Sequence, residues 1–437
     1  MSVSGARVAI VSLGCRVNRV ESDRIADQLV AAGAQIVSEA DGADAIVVNT
    51  CAVTAEAEAK ARKAIRHAAS LSGEPVVVAT GCAASLFAGE FSSLAKNVLV
   101  ERDKDRLADV LVKALESREG SFDAVSAAPS RAVPVSASMP TPTGRTRPGI
   151  KIQDGCDNRC TYCIVWKARG AGRSVDAARV RELVLESLSR GAREVVLTGI
   201  NLGCYEGTLP DGTAVRLGGL LDWLLSTTDV GRIRLSSIEP PDVTDDLLSV
   251  MAASRGRVAP FLHICLQSGC SSTLSRMGRA YDADDYMDVI RRTRSALPDV
   301  SLGTDLIVGF PGETDQEFEE SLSLCKEAGF SRMHVFRYSR RPGTPAATAP
   351  NQVDPRVMAA RSARVRALAK EMRAAEAQRR VGKEDLVLVQ AAASGVSGGL
   401  YDVALAGGRA EQAKPGELVR VRVTGVRDGD TLVASVL

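Results

Sequence analysis

Short apolar runs alternate with amphipathic stretches over the first hundred residues: VAIVSLGC, a helical period from about Ser22 to Gly33, AIVVNTC, a second helix from about Glu56 to Ser70, then VVVATGC. In the first helix Ile25, Leu29 and Ala32 fall on one face, and Gly33 supplies the stop. Uninterrupted apolar strands separated by such helices predict an α/β, doubly wound parallel sheet. Over 121–148 the periodicity gives way to Ser, Ala and Pro, which predicts a linker. From Lys151 to about Thr344 the strand signals KIQDG, EVVLTGI, RIRLSSI, FLHICLQ, SLGTDLIVG and MHVFRYS alternate with helices, the pattern of a partial (β/α) barrel. Within it Thr314 and Glu317 form a capping box, Phe318, Leu322 and Cys325 share a face, and Gly329 ends the helix. Residues 355–380 predict one long, Arg- and Lys-rich helix, and the tail from about Val381 (DLVLVQ, YDVALA, ELVRVRVTGV, TLVASVL) a small all-β module. The expected domains are 1–120, a linker over 121–148, 149–377 and 378–437.

At 437 residues the chain exceeds what one hydrophobic core usually serves. With 45% hydrophobic and 25% charged residues it has the composition of an ordinary globular protein. It lacks an apolar run of about eighteen residues, so no membrane partner is expected. MSVSGARVAIVSLGC reads as a first strand rather than a leader, and a cytoplasmic location follows as an expectation. Lys plus Arg (55) nearly cancels Asp plus Glu (53), so any RNA site must be a local patch. Helical Arg361, Arg364, Arg366, Lys370 and Arg373 offer one, although a charged helix face is as readily a solvated one. In a reducing compartment ten cysteines point to metal binding or catalysis rather than disulfides.

Cys156, Cys160 and Cys163 form C-x3-C-x2-C directly after the strand KIQDG. Three thiolates can hold three irons of a 4Fe-4S cluster and leave the fourth open for a ligand, whereas a structural site normally closes every position. A zinc knot would need a fourth ligand nearby, and the next cysteine is Cys204. Cys15, Cys51 and Cys82 stand far apart in sequence, each at the carboxyl end of an expected parallel strand, the edge where ligands gather in open α/β sheets. Three buried, inert thiols are the alternative.

The first spacing is that of the radical S-adenosylmethionine (SAM) superfamily. With Gly14-Cys15-Arg16-Val17-Asn18, Asn49-Thr50-Cys51, Gly81-Cys82, LQSG, GFPGET and RPGTPAA in order, the whole chain resembles the methylthiotransferase family. The resemblance implies an N-terminal domain holding an auxiliary 4Fe-4S cluster on Cys15, Cys51 and Cys82, a radical-SAM barrel with a second cluster on Cys156, Cys160 and Cys163, and a C-terminal RNA-contacting TRAM domain. It further implies that the barrel cluster reductively cleaves SAM to a 5′-deoxyadenosyl radical that activates carbon 2 of an adenine. Sulfur then comes from the auxiliary cluster after methylation by a second SAM. Asn49 to Thr54 with Ala59, Lys60, Arg62 and Arg66, and Gln153-Asp154-Gly155-Cys156, most resemble the branch acting on N6-threonylcarbamoyladenosine at position 37 of tRNA. Implied partners are the tRNA anticodon loop, an electron donor such as flavodoxin or ferredoxin, and a sulfur source.

By the same resemblance, Thr198 and Gly199 stand where the superfamily binds the SAM amino group, and Glu239, Gln267 and Val308 where it lines the SAM pocket. Tyr162 would cover SAM or pack. Cys265, Cys270 and Trp166 depart from the family pattern, Cys270 as an extra oxidisable thiol. Cys204 reads as a loop thiol and Cys325 as core, while His67, His263 and His334 receive no catalytic role. Rival readings are the same chemistry on N6-isopentenyladenosine or on a ribosomal-protein aspartate, and a non-enzymatic iron-sulfur electron carrier.

Overall fold

The computed structural model describes residues 5–117 and 141–437 except 39, 41, 142, 408 and 409, so most of the expected linker lies outside the described residues. The chain forms two compact units, Met1–Arg145 with Cys163–Ala171, and Thr146–Tyr162 with Gly172–Leu437.

In the first unit β1 (Arg7–Ser12), β2 (Gln35–Val37), β3 (Ala45–Thr50), β4 (Val76–Gly81) and β5 (Val98–Val100) make a parallel sheet in the order β2-β1-β3-β4-β5. Every residue of β3 and β4 is buried, which is why both read as continuous apolar runs. Helix α1 (Arg16–Ala31) starts well before the expected Ser22. Its N-cap, Cys15, makes no side-chain cap bond, and its first turns bury polar Asn18, Glu21, Ser22 and Asp23, so neither capping nor apolar periodicity announces them. Helix α2 (Ala55–Ala69) begins where the pattern places it: Thr54 accepts from the Ala57 amide at 3.1 Å, with Glu56 and Glu58 in the first turn and Arg66 and His67 in the last.

In the second unit the strand signals of the central region form parallel strands, except that the first is shifted to Gly149–Lys151 and its Gln153-Asp154 pairs antiparallel with Arg173-Ser174. Arg232–Leu235, Glu194–Thr198 and Gly149–Lys151 make one sheet; Ser237–Ile238, Phe261–Ile264, Ser301–Val308 and Arg332–Arg337 make the next. The helix Asp315–Ala328 carries both arms of the capping box, and Gly329 closes it at φ +61°. The long helix runs from Pro355 to Gln378. Of the arginines expected to offer a phosphate patch, Arg361 is buried against Glu313 (2.6 Å) and Asp315 (2.7 Å), which removes it from the patch, while Arg364 is bidentate on Glu319 (2.5 and 2.9 Å) and Arg373 pairs with Asp430. These cations fasten the helix to its own unit; Arg366 and Lys370 are exposed.

The tail closes into a barrel of Glu384–Ala391, Ser394–Val396, Asp402–Ala406, Thr431–Val436 and Leu418–Arg427. It is joined to the parallel strands by buried charge. Arg234 donates to the carbonyls of Gly398 (2.8 Å) and Ser397 (3.0 Å), Arg232 to those of Val396 and Leu386, and both hold Glu194. Among the described residues no helix is long and apolar enough to cross a membrane.

Candidate functional site

Cys15 follows β1, Cys51 follows β3 and Cys82 follows β4, three adjacent strands of the first unit. Buried polar side chains hold these strand ends. Asn18 Nδ2 donates to the Leu13 and Thr50 carbonyls, each at 2.8 Å; Asn49 donates to the Asn18 carbonyl at 2.8 Å; Thr50 Oγ1 donates to the Thr80 carbonyl at 2.7 Å and accepts from the Ala84 amide at 2.9 Å. The motif residues around the cysteines therefore act as pins between strands. Gly14, at φ +96°, passes so close to Cys51 that a Cβ there would strike its Cβ and Sγ.

Burial pushes the Cys15 thiol up and takes Cys51 to about 11; the charge of Cys82 adds to the rise at Cys15, and those of Cys15 and Cys82 add to it at Cys51. Cys15 and Cys51 are thus held towards the protonated thiol until a metal displaces the proton. Arg169, from the helix Val165–Arg169 of the same unit, faces this trio. Its Nε lies 3.2 Å from Cys82 Sγ, and its other nitrogens donate to Asn18 Oδ1 (2.9 Å) and Glu21 (2.7 and 3.0 Å). Lys104 also pairs with Glu21. Soft thiol sulfurs facing a guanidinium suit an anionic iron-sulfur cluster.

Cys156 and Cys160 belong to the second unit and Cys163 to the first. Burial raises the Cys156 thiol as well. Arg279 connects two of the expected site residues: it donates to Cys160 Sγ at 3.2 Å and pairs with Glu239, while also reaching Tyr281 (3.1 Å) and Tyr162 (3.4 Å). Gln153, between the first strand and the cysteine loop, accepts from the Asn201 amide at 2.8 Å and donates to the Gly155 carbonyl at 2.9 Å, tying the Thr198-Gly199 turn to the loop before Cys156. Gln267 sits at φ +65°, bracketed by main-chain bonds to Asp305 and Ile307. Val308 lies in the core with Leu302 and Leu306, and its carbonyl accepts from the Tyr338 amide at 2.9 Å.

Tyr162 packs edge-on against Phe310, with ring centroids 6.5 Å apart. Cys204 is exposed, Cys325 is core, and Cys270 is 2% exposed, which removes it as a solvent-accessible thiol. Arg169, Arg279 and Glu21 escape sequence reading because nothing local marks an Arg or Glu as the partner of a distant cysteine.

Residues 7–100 match the family described as "Uncharacterized protein family UPF0004", and residues 150–325 match the Radical SAM superfamily. The chain is 37% identical to the threonylcarbamoyladenosine tRNA methylthiotransferase MtaB of Thermotoga maritima, over 88% of this chain and 86% of that one. It is 34% identical to the tRNA-2-methylthio-N(6)-dimethylallyladenosine synthase of Novosphingobium aromaticivorans, over 89% and 88%. Among solved structures, the radical SAM methyltransferase TsrM of Kitasatospora setae shares the fold at TM-score 0.54 and 14% identity, covering 79% of this chain and 74% of that one. With relatives matched along most of both lengths, the chain belongs to the radical-SAM methylthiotransferases, a family that implies a 4Fe-4S cluster and SAM.

Proposed function

We propose that the chain converts N6-threonylcarbamoyladenosine at position 37 of tRNA to its 2-methylthio derivative, with a 4Fe-4S cluster on each cysteine trio. The observation that carries this reading is the 35–37% identity, over most of the chain, to the proteins of Thermotoga maritima, Bacillus subtilis and Chlamydia pneumoniae named for that nucleoside, beside this chain's own ordered set from Asn49-Thr50-Cys51 to Gln153-Asp154-Gly155-Cys156. Carbon 2 of an adenine bears a hydrogen that no side-chain base removes usefully, so the hard step falls to cofactors: bound clusters would supply the electron that cleaves SAM and the sulfur that is transferred.

The protein's own residues do the rest. Arg279 stands against Cys160 and Glu239, fixing a cation beside the C-x3-C-x2-C loop, and Tyr281 holds it by accepting at 3.1 Å. Arg169 balances negative charge at Cys82, and Gly14 keeps the approach to Cys51 clear. The tRNA anticodon loop, an electron donor such as flavodoxin or ferredoxin, and a sulfur source complete the reaction.

Mass spectrometry of tRNA nucleosides from a deletion strain tests the substrate. The 2-methylthio derivative of threonylcarbamoyladenosine should vanish and return on complementation, with the isopentenyladenosine derivative unchanged. The reverse pattern would assign the chain to the other tRNA branch.

A further inference from the structure

Three neighbouring strands of the second unit carry His263, Asp305 and His334. Leu262 and Ile264 face the helical core, as do Leu302 and Leu306, with Met333 and Val335 packed against it. Side chains alternate along a strand, so His263, Asp305 and His334 share the opposite face, away from the helices. Their ligand atoms lie within 4.8 Å of one another. Asp305 Oδ1 is 3.0 Å from His263 Nε2 and 3.0 Å from His334 Nδ1, and its Oδ2 is 3.9 Å from the Cys265 sulfur. The two imidazoles stack, with centroids 5.2 Å apart and planes at 28°. Gly303, in register with His263, makes room for the ring: a Cβ there would come within 2.9 Å of Nδ1.

Two imidazoles around a carboxylate can be a simple hydrogen-bonded chain, and His334 fits that description. His263 adds to it: its side chain is 6% exposed and its Nε2 closes on the same Oδ1 at 3.0 Å, so that two imidazole nitrogens and one carboxylate oxygen crowd within 4.8 Å of one another.

We propose that His263, Asp305 and His334 form a mononuclear site for a divalent transition-metal ion of the zinc class. Two imidazole nitrogens and one carboxylate oxygen are the donor set such ions take, and three protein ligands leave a coordination position open to an oxygen donor. Cys265, on the far carboxylate oxygen, is the outer contact that orients Asp305. The nitrogen and oxygen donors set this site apart from both thiol trios, and it stands independently of the substrate reading.

The test uses the full chain, anaerobically loaded with iron and dialysed against Zn2+ alone, alongside His334→Ala and His334→Gln. His334 is half exposed, so its replacement should leave the fold and the iron content intact. The parent chain should retain about one zinc more than either variant, bound at least ~100-fold more tightly, with imidazole scattering at the zinc absorption edge. Equal zinc in parent and variants, no zinc beyond iron, or purely sulfur ligation would overturn the site.

Discussion

Between Arg232 and Arg234 the Glu194 carboxylate is fully buried. Burial alone would raise its pKa, but Arg234, Arg232 and Arg147 outweigh it and hold the group at about 2, below its ordinary 4.5. A carboxyl depressed on folding contributes stability that is complete above about 4.5 and is lost as pH falls towards about 2. Glu194→Gln should therefore cost about 3 kcal/mol at neutral pH, and urea titrations should show the gap to the parent chain closing across that acid window. A gap of constant size down to pH 2 would refute the role given to the charge. None of this was visible beforehand, because Glu194 opens an ordinary strand motif and its partners lie 38 and 40 residues on. The same holds for Arg169, 87 residues from Cys82, and Arg279, 119 from Cys160. The cysteines were legible because iron chemistry imposes spacing and strand-end position on them; the cations that serve them obey only three-dimensional proximity.

Elements were readable wherever local physics decides them. Thr54, Thr314, Glu317 and Gly329 bound their helices as capping rules require, and the apolar runs became β1, β3 and β4. Reading failed at the start of α1, where buried polar residues serve the cysteine site, and at Arg361 of the long helix, which is buried against carboxylates of a neighbouring segment. The tail shows the same limit at a larger size. Its strands were plain, but its attachment through Arg232 and Arg234 was not. Cutting the chain after residue 377 removes the Leu386, Val396, Ser397 and Gly398 carbonyls and leaves two buried guanidinium groups short of acceptors. The truncated protein should lose cooperative thermal unfolding of the second unit, rather than merely binding RNA less well. A sharp, unshifted transition in calorimetry would show instead that the join is dispensable.

At the scale of the whole chain, the proposed chemistry is divided between two sets of three thiols. Cys15, Cys51 and Cys82 all lie in the first unit, with Arg169 and the buried Asn18 pinned against them. Replacing those three together with alanine removes soft sulfur ligands but leaves the strand pins Asn49, Thr50 and Asn18 in place, so the sheet should survive with a modest loss of packing. The parent, loaded anaerobically, should hold about eight irons and the variant about half as many. Because Cys156, Cys160 and Cys163 are untouched, the variant should still convert SAM to 5′-deoxyadenosine when supplied with a reductant. It should form no 2-methylthio nucleoside on tRNA. Buried but inert thiols predict a different outcome, in which folded variant molecules keep both the iron and the reaction. Methylthiolated product at the parent's rate per folded chain would leave Cys15, Cys51 and Cys82 a packing role only. Loss of product with retained SAM cleavage assigns sulfur delivery to the first unit and radical generation to Cys156, Cys160 and Cys163.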